Sequence, residues 1–268
     1  MYFEFYGLKE SPFNITPDPR FLFYTARHRE AFDHLSYGIA TRKGFIELTG
    51  EVGSGKTTLC RAVLSNLNES VRTALILNPC LSEDQLLRAI LMDFGLEVKG
   101  TDRLDYFEQL NTFLLEQARL GHNVVLIIDE AQNLSPGVLE QVRLLSNLET
   151  DQHKLMQIVL SGQPELQERL SRPDLRQLRQ RILVRCRLEP LTEQEIGEYI
   201  AHRLHVAGAN SHVRFHPRAI RLIRKHTKGI PRLVNAISDN CLLAGYVART
   251  RVIERSHVKK ALMEMEPV

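Results

Sequence analysis

The chain has 268 residues, 43% of them hydrophobic and 25% charged, a composition that excludes disorder, a collagen-like fibre and a disulfide-stapled miniprotein. Its net charge of +3 conceals a split: residues 201–268 carry 13 Lys+Arg against 4 Asp+Glu, and the remainder 22 against 28. That asymmetry points to a domain boundary near residues 190–200, with a basic surface beyond it. The longest strongly apolar run, Val124 to Ile128, is far short of the about 20 residues a membrane span needs. The N-terminal stretch lacks the basic region and apolar core of a signal peptide. Cys60, Cys80, Cys186 and Cys241 have no C-x-x-C spacing, so they read as reduced, mostly buried hydrophobes of a cytoplasmic protein, not a metal or disulfide framework.

Residues 7–25 are turn-rich and contain Pro12, Pro17 and Pro19, which predicts an extended, docked segment. A helix is expected over about 27–41. The short β-prone run from Phe45 to Thr49 follows and leads into Gly50. A helix starting near Gly55 carries Leu59, Ala62, Val63 and Leu67 at helical spacing. Strand and helix then alternate. The expected order is strand 72–77, helix 82–94 opened by Ser82 with Gln85, helix 104–120 closed by Gly121, and strand 124–128. The unbroken apolarity of that last strand suits burial on both faces of a parallel sheet. Helix 136–147, strand 155–160, helices over 164–180 and strand 182–188 complete a three-layer parallel α/β domain assigned to residues 1–190. Beyond Pro190 the periodicity is helical over about 193–207, 216–228, 231–248 and 256–265, a small all-helical domain assigned to residues 191–268.

Gly50-Glu51-Val52-Gly53-Ser54-Gly55-Lys56-Thr57 matches G-x-x-x-x-G-K-[ST] and sits between a predicted strand and a predicted helix. Glycines let the backbone close around a phosphate, so that loop N–H groups and the helix N-terminus point at the anion. Lys56 can bridge the β- and γ-phosphates, the Thr57 hydroxyl can ligate Mg²⁺, and Thr58 belongs to the same cradle. The apolar strand ending in Asp129-Glu130 supplies the complement. Asp129 is suited to hold Mg²⁺ through water, and Glu130 to polarise an attacking water as general base. No N-K-x-D sequence for guanine recognition is present, so ATP is the expected nucleotide.

With these motifs in place the chain resembles the AAA+ ATPases: a P-loop core with a helical lid. More narrowly, three stretches resemble the ExeA/GspA-type ATPases of the general (type II) secretion pathway. They are Tyr6-Gly7-Leu8 to Arg20-Phe21-Leu22, Ser161-Gly162-Gln163-Pro164-Glu165-Leu166, and Gly229-Ile230-Pro231-Arg232. That group includes pilus-biogenesis ATPases and is similar to transposition regulators. The resemblance implies ATP and Mg²⁺ as ligands, Gln163 as the sensor-1 residue and Arg232 as sensor 2 from the lid. It implies an arginine finger reaching a neighbouring subunit, with Arg181 favoured, Arg179 second and Arg176 third. The Pro-rich N-terminal stretch resembles the segment that packs beside the adenine. A homo-oligomer, ring or dimer, is implied, with a protein partner in a secretion or pilus apparatus. Larger members carry a membrane segment and a cell-wall-binding region after the ATPase. Because this chain stops at Val268, a partner is expected to hold it peripherally at the inner membrane. The rival is an ATP-gated DNA-binding adaptor like the transposition regulators, with nucleic acid as its partner.

The stretch from Arg214 to Arg232 holds seven basic residues and no acidic one. Arg218, Arg221, Arg224, Lys225 and Lys228 share one helical face, and Ala219, Leu222 and Ile223 take the buried one.

Overall fold

The computed structural model describes residues 2–14, 16–149, 154–209 and 213–265. In chain order the elements begin with α1 (Tyr2–Tyr6), α2 (Ala26–Ala40), β1 (Phe45–Gly50), α3 (Lys56–Ser65), β2 (Val71–Ile76), α4 (Glu83–Asp93) and α5 (Arg103–Arg119). They continue with β3 (Asn123–Ile128), α6 (Pro136–Leu145), β4 (Gln157–Gly162), α7 (Pro164–Leu170), α8 (Arg176–Arg181) and β5 (Ile182–Leu188). The last are α9 (Glu193–Val206), β6 (Arg214–Phe215), α10 (Pro217–Thr227), α11 (Pro231–Val247), β7 (Val252–Ile253) and α12 (Arg255–Glu264). The chain divides into two compact units. One comprises Arg27–Gly50 and Leu59–Leu188; the other comprises Met1–Ala26, Glu51–Thr58 and Glu189–Val268.

The first unit is built on a parallel sheet of order β2-β3-β4-β1-β5. β1 and β4 are buried at every residue and β3 from Val124 onward, whereas the edge strands β2 and β5 expose alternate side chains. That pattern is the one expected of a sheet whose centre is covered on both faces. Helices α4, α5 and α6 contribute Leu86, Ile90, Leu110, Leu114, Val138 and Val142 to a core shared with strand residues Leu126, Ile128, Ile158 and Leu160. β4 starts two residues later than its apolar pattern suggests. Leu155 and Met156 are buried ahead of the ladder, while Ser161 and Gly162 continue it, paired with Leu48 and Thr49. Since the strands are parallel, the ends of β1, β3 and β4 share one edge of the sheet, the edge at which α/β proteins bind ligands.

One carboxylate lies inside this sheet. Glu47 of β1 is 3% exposed and pairs in register with Arg185 of β5, their side chains 3.3 Å apart. Burial pushes the Glu47 carboxyl up, and the Arg185 guanidinium works against that rise. A carboxyl raised on folding contributes stability at low pH, and that contribution is lost as pH rises through the folded value. Arg185→Ala removes the opposing charge, so its cost is expected to grow with pH. We expect about 1–3 kcal/mol at pH 8, below the range for a fully buried pair because Arg185 is half exposed, and clearly less at pH 5. Urea midpoints at the two pH values check this; an equal loss at both would remove Glu47 as the cause.

The second unit is a helical cluster of α9, α10, α11 and α12 to which the N-terminal segment belongs. Tyr6, Leu8, Phe13 and Phe21 lie in one core with Ile196, Ile200, Ile223, Val234 and Leu242. The sequence reading assigned residues 1–190 to the α/β domain, yet residues 1–26 group with those after Glu189. The reason is chemical as well as apolar. The segment's carbonyls need donors, and the buried Arg203 of α9 supplies them, with Nε to Pro12 O at 2.5 Å and Nη2 to Asn14 O at 3.1 Å. Its third bond goes to Tyr199 OH at 2.8 Å, and the guanidinium lies over the Phe21 ring. Tyr6 OH donates to Leu242 O at 2.9 Å, tying α1 to α11. The unit is not wholly helical: β6 and β7 form a two-residue parallel pair joining the segment before α10 to the one before α12.

Candidate functional site

β1 ends at Gly50, and the glycine-rich loop follows directly as Glu51–Gly55 before α3 opens at Lys56. Gly53 has φ +77°, a left-handed conformation open to glycine at little cost. A Cβ there would also overlap the Arg232 side chain. The close approach is fixed by the Arg232 N–H, which donates to Gly53 O at 3.2 Å. Arg232 is the second residue of α11, whose first is Pro231, a residue suited to a helix start because its missing donor would go unused there. Lys56 is 4% exposed, and its Nζ donates to Glu51 O at 3.0 Å. Ser54 is buried, and Thr57 and Thr58 are half-buried in the first turn of α3. A glycine backbone, a helix N-terminus and a desolvated ammonium are together suited to hold phosphate oxygens.

Asp129 follows β3 and is 2% exposed. Its Oδ1 accepts from Ser161 Oγ at 2.7 Å and from the Glu130 N–H at 3.0 Å. Glu130 itself has φ +51°, a left-handed conformation unusual for a side-chain-bearing residue and a common mark of functional sites. Its Oε2 accepts from two amides, Gln132 Nε2 at 2.6 Å and Gln163 Nε2 at 3.1 Å. Gln163 lies immediately after β4 and precedes Pro164, the first residue of α7. Asp129, Glu130 and Gln163 therefore meet at the edge of the sheet where β1 feeds the loop. Ser161 and Gln132 were not singled out in the sequence; the only cue is a hydroxyl directly after the apolar run Ile158–Leu160 and an amide two positions past Glu130.

The arginines before β5 separate. Arg181 Nη1 donates to Ser146 Oγ and Asn147 Oδ1, both at 2.5 Å, and to Arg143 O at 3.3 Å. It thereby caps the carbonyl end of α6, a favourable place for a cation. Arg179 is exposed, and its guanidinium makes no hydrogen bond or ion pair among the described residues. Arg176 is exposed as well. On α10, Arg218 and Lys225 are exposed, Arg221 reaches Glu193 at 3.4 Å, and Arg224 is half-buried; Ala219 and Ile223 face the core, and Lys228, exposed, lies just past the helix end in a left-handed conformation.

Residues 39–170 match the family model described as an AAA domain, a span holding both the phosphate loop and Asp129-Glu130. The chain carries an AAA domain. It is 45% identical over its whole length to general secretion pathway protein A of Aeromonas hydrophila, of which it covers 49%. The chain thus spans about half the length of that relative. In fold it is similar to Cdc6p from Pyrobaculum aerophilum (TM-score 0.73, 16% identity, 95% of this chain and 70% of that one). It is likewise similar to the ORC2 protein of Aeropyrum pernix (TM-score 0.72, 17% identity, 97% and 73%). An AAA-type ATPase binds nucleotide, and the cradle at Gly53, Lys56 and the start of α3 fits that ligand. Among the described residues no helix is long and apolar enough to cross a membrane.

Proposed function

We propose that the chain is a Mg²⁺-dependent ATP-hydrolysing AAA+ protein that works as an oligomer and remodels or assembles components of a secretion or pilus machine at the inner membrane. The observation that carries the hydrolytic reading is the Glu130 carboxylate, held by two amides beside the buried Asp129 at the sheet edge where the phosphate loop begins. The whole-chain identity to general secretion pathway protein A supports the choice of machine.

In this reading Gly50, Glu51, Val52, Gly53, Ser54 and Gly55 wrap the phosphates with backbone N–H groups, and Thr58 continues the cradle into α3. Lys56 holds the β- and γ-oxygens. Thr57 and Asp129 would hold Mg²⁺, which when bound neutralises charge on those oxygens. Glu130 takes the proton of the attacking water, Gln163 orients that water, and Arg232 reports on the γ-phosphate from the lid. An arginine from a neighbouring subunit completes the charge stabilisation. We assign that task to Arg179 rather than Arg181, since Arg181 already holds three partners within its own chain.

The exposed cations of α10 favour one second reading, a DNA-binding adaptor. Steady-state ATP hydrolysis against protein concentration, with and without duplex DNA, separates the two. Specific activity that climbs with concentration and ignores DNA is the expected result. Turnover or assembly appearing only with DNA, and weakening steeply with salt, would transfer the assignment to the adaptor.

A further inference from the structure

The Glu130 carboxylate does not hold its place by its own backbone alone. Gln132, two residues on in the short helical turn Ala131–Asn133, uses both ends of its amide. Nε2 donates to Glu130 Oε2 at 2.6 Å, and Oε1 accepts the Gln163 backbone N–H at 3.0 Å. Gln163 closes the triangle, its own Nε2 donating to the same Glu130 oxygen at 3.1 Å. The turn that presents Gln132 is fastened in turn: the Arg169 guanidinium of α7 donates to Gln132 O and Leu134 O. Gly162 leaves room for the arrangement, as a Cβ there would stand 2.9 Å from Gln132 Oε1.

We propose that Gln132 is a positioning residue for ATP hydrolysis, bridging the Glu130 carboxylate to the residue that precedes α7 and holding it in register with Gln163. This rests on the reading of Glu130 as the base. An amide suits the task because it donates and accepts at once. A carboxylate in the same place would keep the acceptor for the Gln163 N–H but lose the donor and repel Glu130. An apolar residue would lose both and leave the Gln163 N–H without its partner. Since the bond fixes a carboxylate and not the phosphates, the effect belongs in kcat and not in nucleotide affinity. Misplacing a reacting group by a fraction of an ångström to one ångström costs about tenfold to a hundredfold.

The test compares Gln132→Ala and Gln132→Glu with the parent chain and with Glu130→Gln, each alone and combined. Single-turnover hydrolysis, nucleotide Kd and the urea midpoint are read for every variant. Gln132→Ala is expected to lower the hydrolysis rate about tenfold to a hundredfold with Kd unchanged. Gln132→Glu, nearly isosteric, should lower it at least as far and so covers any folding loss in the Ala variant. On the Glu130→Gln background neither substitution should lower the residual rate further, because residues acting as one unit are not additive. The same fractional loss on both backgrounds would make Gln132 merely structural and overturn the proposal, as would parental rates in both Gln132 variants. Parental hydrolysis in Glu130→Gln alone would instead overturn the base assignment beneath it.

Discussion

Lys56→Ala is expected to leave no measurable ATP turnover and to weaken nucleotide binding by about two orders of magnitude or more. Lys56 is 4% exposed, and its ammonium sits within the loop on Glu51 O at 3.0 Å. A cation already stripped of water interacts strongly with phosphate charge, because little solvent stands between them. Alanine removes the charge and three donors while leaving the loop's glycine geometry intact. Stability should move in the opposite sense or hardly at all, since keeping an ammonium out of water is itself costly. Loss of binding with an unchanged melting temperature therefore separates a phosphate contact from a fold defect. The measurement is a titration with a fluorescent nucleotide beside thermal unfolding. Parental affinity and turnover would remove the loop from the site altogether.

The parts of this site legible in the sequence are those written in contiguous residues. A phosphate cradle needs glycines, a lysine and a hydroxyl in one turn, and Gly50 to Thr57 spells them in order. A buried parallel strand must be apolar throughout, so Val124 to Ile128 and the acidic pair after it also stand out. Contacts assembled across strands leave no such trace. Ser161 reaches Asp129 and Gln163 reaches Glu130 because β4 lies beside β3, and only the strand order brings them together. Gln132 depends besides on a left-handed residue at Glu130, which no local propensity announces. For a similar reason, position alone does not decide between Arg181 and Arg179 as the arginine offered to a neighbour. Which guanidinium is already occupied depends on the end of α6, some thirty-five residues earlier in the chain. The N-terminal segment went to the other unit because its partner, Arg203, is nearly 190 residues away.

Glu130→Gln is expected to cut hydrolysis by about 10²- to 10⁴-fold while ATP still binds with parental affinity or better. The substitution is isosteric, and an amide oxygen can still accept from Gln132 and Gln163, so the backbone turn and the Asp129 contacts should persist. What disappears is the group able to take a proton from water. The same variant reads out the neighbouring arginine. Mixed with Arg179→Ala, it forms some interfaces that carry an intact Glu130 from one subunit and an intact Arg179 from the other. Turnover in such mixtures should exceed the sum of the separate variants, with a maximum near equal proportions. Arg181→Ala should instead lower the melting temperature, because it uncaps α6 and leaves Asn147 and Ser146 without their donor. Absence of rescue in mixtures shown by cross-linking to co-assemble would deny Arg179 a role across the interface. Parental hydrolysis by Glu130→Gln would move the base elsewhere, with Asp129 then the nearest carboxylate along the chain.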